Sequence, residues 1–486
     1  MNKFGLVGCG VAALASTGCS LITATSTAED KKPNIILVMA DDQGYGDCGY
    51  TGHPFVLTPN LDAMAKDSVV FNQFYAGSPV CSPTRASVLT GRTAMRTNIL
   101  NHGHYMRPHE KTLAEGLKEA GYVTGHFGKW HIGSIQPESP TAPGKIGFDE
   151  SLTGINFFDI DPYLAENGVV KQFKGQGTEI VTDATIEFLK KHKDGDKPMF
   201  AVTWFPAPHD PHKEVPVAFE GSADLYKDEG HYRGYFLEIT LLDQQVGRLR
   251  KALRDMDIAD NTIVWYCSDN GGLDKRSSGG RAKKGAVYEG GLRIPSLLEW
   301  PAKLSHKEID VPAVTSDMYP TLMKIAGAKV MHQPRLDGID LWKVIEGRQS
   351  TRPAIGFWHK FTGGQPCWSD IIMKDVMEFQ QGKVKENKWA SRIMKTVDQF
   401  PKYDKTKFPG HAAWNKWPYK VHHYTHPKTG KVKVELYNLE KDPMEANDLS
   451  GKEKELTAKM LKELKAWQVS VLESMEGKDY ETLEIK

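Results

Sequence analysis

Three long apolar runs constrain the fold more than any other feature of this sequence. They are Asn34–Ala40 (NIILVMA), residues 199–205 (MFAVTWF) and residues 262–267 (TIVWYC). Such unbroken runs are typical of strands buried on both faces of a parallel sheet. Amphipathic helical patterns lie between them, for example LTPNLDAMAKDS and TDATIEFLKKHK. This alternation predicts an α/β fold in which helices flank a large, mostly parallel central sheet.

The alternation weakens in the last third of the chain. We therefore expect a catalytic α/β domain over residues 33–350 and a smaller α+β subdomain over residues 351–486. In the second region, YKVHHYTHPKTGKVKVELYNL predicts a hairpin that turns at Lys428-Thr429-Gly430, and residues 452–474 have a helical pattern. A small antiparallel sheet with a terminal helix is the expected architecture of this subdomain.

The first residues resemble an export signal. Lys3 precedes an apolar run over residues 4–14, which is too short to span a bilayer, and small residues follow. Cleavage after Ala28 fits an ordinary signal peptide, whereas Ser16-Thr17-Gly18-Cys19 loosely resembles a lipoprotein box. We expect a periplasmic or extracellular protein, with a lipid anchor at Cys19 as the alternative. No other segment is long and apolar enough for a transmembrane span.

Charge and cysteine content exclude several classes of protein. Lys and Arg number 62 against 61 Asp and Glu, so the net charge indicates neither a nucleic-acid partner nor an acidic membrane surface. Without Cys9 and Cys19, four cysteines remain, which is few for an exported chain of 486 residues. We therefore expect no disulfide framework, and Cys48 and Cys267 are interpreted as structural thiols.

Acidic and polar side chains follow the predicted strands where each one ends. Asp41 and Asp42 come directly after the first run, and Asp269 and Asn270 follow the third. Ligands gather at the carboxyl ends of parallel strands, and hard oxygen donors suit Ca²⁺ or Mg²⁺ and not zinc. Either pair alone would be an ordinary turn or helix cap, but together they indicate a metal site.

The segment SPVCSPTRASVLTGR contains Cys81, Pro83 and Arg85, followed by Thr90-Gly91-Arg92. This arrangement resembles the signature of the formylglycine-dependent sulfatases. Other fragments occur in the order of that family, among them NIILVMADDQGYGD, GYVTGHFGKWHIG, PAPHDPH, SDNGG and KKGAVYEGGLRIP. The resemblance therefore covers nearly the whole chain after the signal.

The resemblance implies a site and a set of roles. In that family a maturation enzyme oxidises the signature cysteine, here Cys81, to formylglycine, whose hydrate is the nucleophile. The implied ligands of the metal, Ca²⁺ with Mg²⁺ as the less favoured alternative, are Asp41, Asp42, Cys81, Asp269 and Asn270. The resemblance further implies that Arg85 orients the diol and that Lys129 and Lys284 bind sulfate oxygens. It implies that His209 assists the leaving alcohol. His131 is the implied base that deprotonates the second hydroxyl so that sulfate leaves.

Some of these roles compete with simpler interpretations. Taken alone, Lys129 and His131 would suit a solvated turn, and His209 a loop. Lys284 is chosen over Lys283 because the lysine of the family directly precedes glycine, as Lys284 does.

A sulfated carbohydrate is the favoured substrate and an aryl sulfate the alternative. Trp130, Trp204 and His212 are candidates to stack on or bond to a sugar ring. One loop either contacts further anionic groups of the sugar or is merely solvated; its polar residues are Arg96, His102, His104, Arg107 and His109. A phosphatase or phosphonate monoester hydrolase of the same superfamily and a non-catalytic glycan-binding relative remain the competing functions. The sequence indicates no oligomeric state.

Overall fold

The apolar run Asn34–Ala40 forms the strand β1 at the middle of a ten-stranded sheet, and every residue after Asn34 in it is buried. The computed structural model describes residues 31–212, 224–359, 362–392 and 400–480. Residues 32–486 group as one compact unit. The expected signal at residues 1–28, with Cys19, lies outside the described residues.

The described residues form strands and helices in alternation over most of the chain. The strands are β1 (Asn34–Ala40), β2 (Val69–Phe71), β3 (Phe74–Tyr75), β4 (Val123–Lys129), β5 (Glu150–Gly154), β6 (Tyr163–Glu166), β7 (Val169–Gln172), β8 (Met199–Trp204), β9 (Thr262–Ser268), β10 (Ser296–Glu299), β11 (Lys307–Ile309), β12 (Ala313–Val314), β13 (Ile355–His359), β14 (Gly410–Lys416), β15 (Tyr419–Thr425) and β16 (Val432–Asn438). The α-helices are α1 (Pro59–Asp67), α2 (Cys81–Thr90), α3 (Leu113–Glu119), α4 (Gly177–His192), α5 (Arg233–Asp255), α6 (Glu289–Leu292), α7 (Met318–Ile325), α8 (Trp342–Ile345), α9 (Ser369–Gln380) and α10 (Lys454–Met475).

The large sheet has the strand order β11-β2-β10-β9-β1-β8-β4-β5-β6-β7. Its four central strands, β9, β1, β8 and β4, are parallel, and Val38 of β1 lies between Thr203 of β8 and Tyr266 of β9. β10 and the β5-β6-β7 meander add antiparallel pairs towards the two edges. The predicted fold class, a mostly parallel central sheet with flanking helices, is confirmed.

Helices cover both faces of this sheet, which explains why its central strands are apolar throughout. Ile35 and Leu37 of β1 point into one core, to which α2, α3 and α7 contribute. Ile36 and Val38 point into the other core, to which α1, α4 and α5 contribute. Alternate residues of one strand thus fill opposite cores, so β1 has no face on which a polar residue could lie.

The last third of the chain contains the predicted small antiparallel sheet, in the order β13-β14-β15-β16. The predicted hairpin is confirmed as β15 and β16, and the final helix, α10, lies within one or two residues of its predicted bounds. A domain division at residue 350 stays a prediction. None of the helices in the described ranges is long and apolar enough to cross a bilayer.

A buried group of charged side chains joins this small sheet to the loop that follows β9. Lys420 of β15 is fully buried, and its Nζ lies 2.8 Å from Oε1 of Glu289 and 3.3 Å from Oε1 of Glu445. His422 Nε2 lies 2.8 Å from the same Glu445 oxygen, and the other Glu445 oxygen accepts a hydrogen bond from the Glu289 backbone N–H. The group therefore holds the start of α6 against the small sheet.

Candidate active site

The carboxyl ends of the four central strands bring the predicted site residues together. Because β9, β1, β8 and β4 are adjacent and parallel, the loops that follow them open on the same edge of the sheet. These loops carry, in chain order, Asp41 and Asp42, His131, His209, and Asp269 with Asn270. Lys129 is the last residue of β4. The sequence-based expectation that these loops face one site is met.

Asp41, Asp42, Asp269 and Asn270 form a compact group of oxygen donors. Asn270 Nδ2 donates to Asp42 Oδ1 at 2.7 Å, and the Asp42 backbone N–H donates to Asp269 Oδ1 at 3.1 Å. Asp42 has a φ of 76°, in the left-handed region that non-glycine residues seldom adopt. This backbone conformation at Asp42 is maintained by the contacts from the β9 loop.

Cys81 is the first residue of α2, and its side chain is buried with only 3% exposure. Burial raises the pKa of the Cys81 thiol to about 11, so at neutral pH the sulfur is protonated and weakly nucleophilic. Its Sγ lies 3.3 Å from Nδ1 of His131. As an unmodified thiol, Cys81 is therefore a poor catalyst.

Arg85 lies one turn further along α2 and is fully buried. Its Nε and Nη2 donate to Asp269 Oδ2 at 3.1 and 2.6 Å, and its Nη2 lies 3.6 Å from Asp41 Oδ1. The guanidinium also lies 5.1 Å from the ring centre of Trp204. Arg85 thus fixes α2, and with it Cys81, relative to the carboxylates.

Two lysines pair with the two carboxylates at the end of β1. Lys129 Nζ lies 2.6 Å from Asp41 Oδ2, and Lys284 Nζ lies 2.6 Å from Asp42 Oδ2. Burial opposes the charge on each lysine, but its carboxylate partner outweighs burial and raises its pKa. Burial likewise opposes the charge of Asp42, yet Lys284 and His209 hold the pKa of Asp42 well below its usual range. Both lysines are therefore charged at neutral pH and held in place by their carboxylate partners.

Two histidines, His131 and His209, complete this group; His131 lies next to Cys81 and His209 next to Asp42. Burial, together with Lys129 and Arg85, lowers the pKa of His131 well below its usual value. His209 Nε2 lies 3.7 Å from Asp42 Oδ2, and its ring stacks on Phe157 with the ring centres 5.2 Å apart. Burial and Lys284 lower the pKa of His209 to about 3. Both imidazoles are neutral at physiological pH, so each can accept a proton.

The donor group fits a divalent cation. One ligand atom each from Asp41, Cys81 and Asp269 lie within 4.8 Å of one another, as do those of Asp41, Asp42 and His209. In the described part of the chain, the buried Asp41 Oδ1 and Asn270 Oδ1 accept no hydrogen bond. Burial and Asp41 raise the pKa of Asp269 to about 7, and a bound cation would relieve this repulsion. These are the oxygen ligands that Ca²⁺ and Mg²⁺ prefer.

A cavity of about 520 Å³ opens above these residues. Cys81, His131, His209 and Lys284 line it, and because the first two are buried and the other two largely buried, these four form its inner part. Its outer wall comes from the last third of the chain and includes residues 364–368. The site is therefore built from both the large sheet and the region that follows it.

Two expectations about substrate contacts are wrong. Trp130 and Trp204, considered above as surfaces for a sugar ring, are both fully buried in the core. Arg96 is fully buried in an ion pair with Asp337 at 2.9 Å, and Arg107 is also fully buried, so neither arginine is a solvated or sugar-binding cation. Periodicity and charge do not reveal which of several aromatic or cationic side chains the fold turns inwards.

His102, from the same loop as Arg96, does line the cavity. His212, the third candidate for a sugar contact, lies with its Nε2 2.8 Å from the Pro208 carbonyl oxygen and packs edge-on against Tyr235. It therefore supports the His209 loop from within.

The structure adds site residues that sequence reasoning missed. Cys367 Sγ lies 3.4 Å from Nε2 of His131, on the opposite side of the ring from Cys81, and accepts a hydrogen bond from Asn156 Nδ2 at 3.3 Å. Trp368 lines the cavity mouth. Cys367 and His131 are 236 residues apart, and no motif in the sequence links them.

Comparisons with known proteins agree with this geometry. The family model Sulfatase matches residues 33–328. The chain is 32% identical over 369 residues to the N-acetylgalactosamine-6-sulfatase of Sus scrofa, which covers 67% of this chain and 69% of that protein. It is 29% identical over 365 residues to the ulvan-active sulfatase of Formosa agariphila, with 70% of each chain covered.

A solved structure shares the fold over most of the chain. The crystal structure of Ps i-CgsB in complex with k-i-k-neocarrahexaose matches with a TM-score of 0.71 and 24% identity, over 92% of this chain and 97% of that one. At this level of identity, the likeness concerns the architecture alone.

Proposed function

Because the chain belongs to the sulfatase family and is a sulfuric ester hydrolase, we propose that it hydrolyses sulfate monoesters of carbohydrates with a formylglycine made from Cys81. The position of Cys81 carries the proposal. It lies at the first turn of α2, lines the cavity, and is close to Lys129, Lys284 and the carboxylates of Asp41 and Asp269. The protonated sulfur is a weak nucleophile, whereas an oxygen nucleophile at the same position would lie next to the cations that can bind a sulfate ester.

A carbohydrate substrate is supported by the similar proteins. One of them is named N-acetylgalactosamine-6-sulfatase and another ulvan-active sulfatase. The cavity has the size of an ordinary small-molecule site. An aryl sulfate is the alternative substrate.

The proposed metal is Ca²⁺, with Mg²⁺ as the alternative. Asp41, Asp42, Asp269, Asn270 and the modified Cys81 would hold it. When bound, such an ion lowers the pKa of a coordinated hydroxyl and offsets the negative charge of a sulfate ester. The support for this assignment is that Asp41 Oδ1 and Asn270 Oδ1 accept no hydrogen bond within the described residues.

The cationic side chains bind and orient the ester. Lys129 and Lys284 pair with different carboxylates, each with its Nζ 2.6 Å from its partner, and would contact sulfate oxygens. Arg85 keeps the group at position 81 in register with Asp269 through two hydrogen bonds. Charges fixed in this way stabilise a transition state without reorganisation.

Proton transfers fall to the two histidines. His131 Nδ1 faces the side chain at position 81, and the neutral ring would accept a proton from a hydroxyl there when sulfate is released. His209 lies beside Lys284 and Asp42 and would donate a proton to the departing sugar oxygen. Burial and, after it, the charge of Lys284 lower the pKa of His209. A bound anionic ester would offset the charge of Lys284 and so favour the protonated ring that donates this proton.

Export and maturation complete the proposal. An exported location with a signal at residues 1–28, a lipid anchor at Cys19 as the alternative, and a formylglycine-generating partner all remain predictions. The pattern around Lys3 and the signature around Cys81 support them.

The test compares protein produced with and without a formylglycine-generating enzyme. A peptide mass spectrum of residues 78–92 should show the lower mass of the aldehyde only in the first preparation. Only this preparation should hydrolyse nitrophenyl sulfate and sulfated sugars, and Cys81→Ala should be inactive in both. Cys48→Ala removes another buried thiol outside the cavity and should stay active.

The same assay decides between competing functions. Faster turnover of nitrophenyl phosphate than of nitrophenyl sulfate would assign the protein to the phosphatases or phosphonate hydrolases of the superfamily. Binding of sulfated sugars without any turnover by fully converted protein would assign it to the non-catalytic relatives. Full activity of a preparation whose Cys81 is unmodified would refute the proposed nucleophile.

A further inference from the structure

Residues 364–368, here called the rim segment, form the outer wall of the active-site cavity. The segment ends in Trp368, whose side chain is 69% exposed although it belongs to the cavity lining. Cys367, directly before it, is buried. An exposed indole at the mouth of a catalytic cavity leaves a large apolar surface in water.

The rim segment is held firmly against the loops of the large sheet. The Gln365 backbone N–H donates to the His102 carbonyl oxygen at 2.9 Å, and Cys367 Sγ lies 3.4 Å from Nε2 of His131. Gly364 lies so close to His102 that a Cβ at that position would be 2.0 Å from its Nε2. The backbone that carries Trp368 is therefore held in place, and α9 begins at the next residue.

The chemistry of the cavity differs between its inner and outer parts. The cation that lines it, Lys284, lies in the inner part with His209 and Cys81. Trp368 offers no charge and a single N–H donor. A flat aromatic face with a negative quadrupole suits a surface of C–H groups, and one face of a pyranose ring is such a surface.

From these positions we propose that Trp368 is the stacking platform for a pyranose ring of the substrate, the ring that lies outward of the sulfated one. The inference rests on the proposed function, because the inner part must take the sulfate for a second ring to reach the mouth. The enzyme would then bind sulfated oligosaccharides more tightly than isolated sulfated sugars.

The first experiment measures binding to unmodified protein, which still carries the Cys81 thiol, in the presence of Ca²⁺. Calorimetry compares N-acetylgalactosamine 6-sulfate with sulfated tetrasaccharides of chondroitin, carrageenan and ulvan. Wild type should bind at least one tetrasaccharide more tightly than the monosaccharide. Trp368→Ala should lose about 3- to 10-fold in affinity for that tetrasaccharide, and Trp368→Phe should keep most of it.

A matched control comes from the same region. Ile371 is 58% exposed and lies three residues further on, outside the residues that line the cavity. Ile371→Ala removes exposed apolar surface of comparable kind and should leave both affinities unchanged. Thermal unfolding of both variants should match wild type, since exposed substitutions change stability little.

The second experiment separates this proposal from the proposed function. Matured wild type is assayed with nitrophenyl sulfate, which has no second ring; absence of any turnover would refute the proposed function. Matured Trp368→Ala should show a raised KM for the tetrasaccharide with kcat nearly unchanged, because the platform contacts a ring remote from the reacting bond.

Three results would overturn the proposal that Trp368 stacks on a sugar ring. The first is equal tetrasaccharide affinity in wild type and Trp368→Ala, and the second is that no tetrasaccharide binds more tightly than the monosaccharide. The third is a change in sedimentation coefficient between wild type and Trp368→Ala, which would assign the exposed indole to self-association.

Discussion

Replacing His209 by alanine should reduce turnover of a sulfated sugar far more than turnover of nitrophenyl sulfate. A sugar alkoxide is a poor leaving group and needs a proton as the S–O bond breaks, whereas nitrophenolate departs with little help. General acids contribute about 10²- to 10⁴-fold. Lys284 Nζ and His209 Nε2 lie 2.6 and 3.7 Å from the same Asp42 oxygen. In the proposed mechanism Lys284 would therefore remain beside the leaving group after His209 is removed.

Because Lys284 remains, we expect the lower end of that range. His209→Ala should reduce kcat/KM for a sulfated sugar by about 10²-fold, which corresponds to about 2.7 kcal/mol of transition-state stabilisation. The loss for nitrophenyl sulfate should stay below about 10-fold. Removal of the ring also exposes Phe157, its stacking partner, so thermal unfolding should be compared with wild type.

The assay measures kcat/KM for both substrates in His209→Ala and in Lys129→Ala, with burst kinetics to establish which step limits the rate. In the proposed mechanism Lys129 binds the sulfate group common to both substrates, so its removal should reduce both rates by similar factors. If His209→Ala also reduces both rates equally while chemistry at sulfur is limiting, His209 is a sulfate-binding residue. The proton donor would then be Lys284, since His212 Nε2 already contacts the Pro208 carbonyl oxygen.

Three further outcomes are expected from the same structure. Chelation should abolish turnover of nitrophenyl sulfate, and Ca²⁺ should restore it; full activity after chelation would contradict the metal site. Asp269→Ala should lose metal binding, measured by calorimetry, together with activity. Cys81→Ser should fold with an unchanged circular dichroism spectrum but be inactive, unless its host converts serine, which the peptide mass would reveal. Lys420→Met should lower the free energy of unfolding by about 3–5 kcal/mol because it leaves buried carboxylates without a cation. Lys416→Met, from an exposed pair with side-chain exposures of 48% and 30%, should lower it by only about 0–1 kcal/mol. Equal losses of the two variants in urea titrations would contradict this account.

The sequence predicts most of the inner site because its residues stand in motifs tied to strand ends. Asp41 follows an apolar run whose length and composition specify a buried strand, and parallel pairing then places the Asp269 loop beside it. Cys81 and Arg85 are four residues apart, one turn of α2. Local patterns thus determine which groups meet at the centre.

The outer part of the site could not be predicted in this way. Trp204 and Trp368 are the same residue type, yet one is fully buried in a central strand and the other is 69% exposed. Their difference depends on how the last third of the chain packs on the large sheet, which is a matter of tertiary contacts and not of periodicity. Cys367 meets His131 for the same reason, without any local signal.

The buried charges around Lys420 have a consequence for recombination between related enzymes. A chimera that takes its small antiparallel sheet from another sequence would place foreign side chains against Glu289, at the end of the loop that carries Lys284. Unless the donor supplies a cation at the position of Lys420 and a carboxylate at that of Glu445, the junction would bury an uncompensated charge. The two regions are therefore exchangeable only as a matched pair, in which the cation and both carboxylates come from the same sequence.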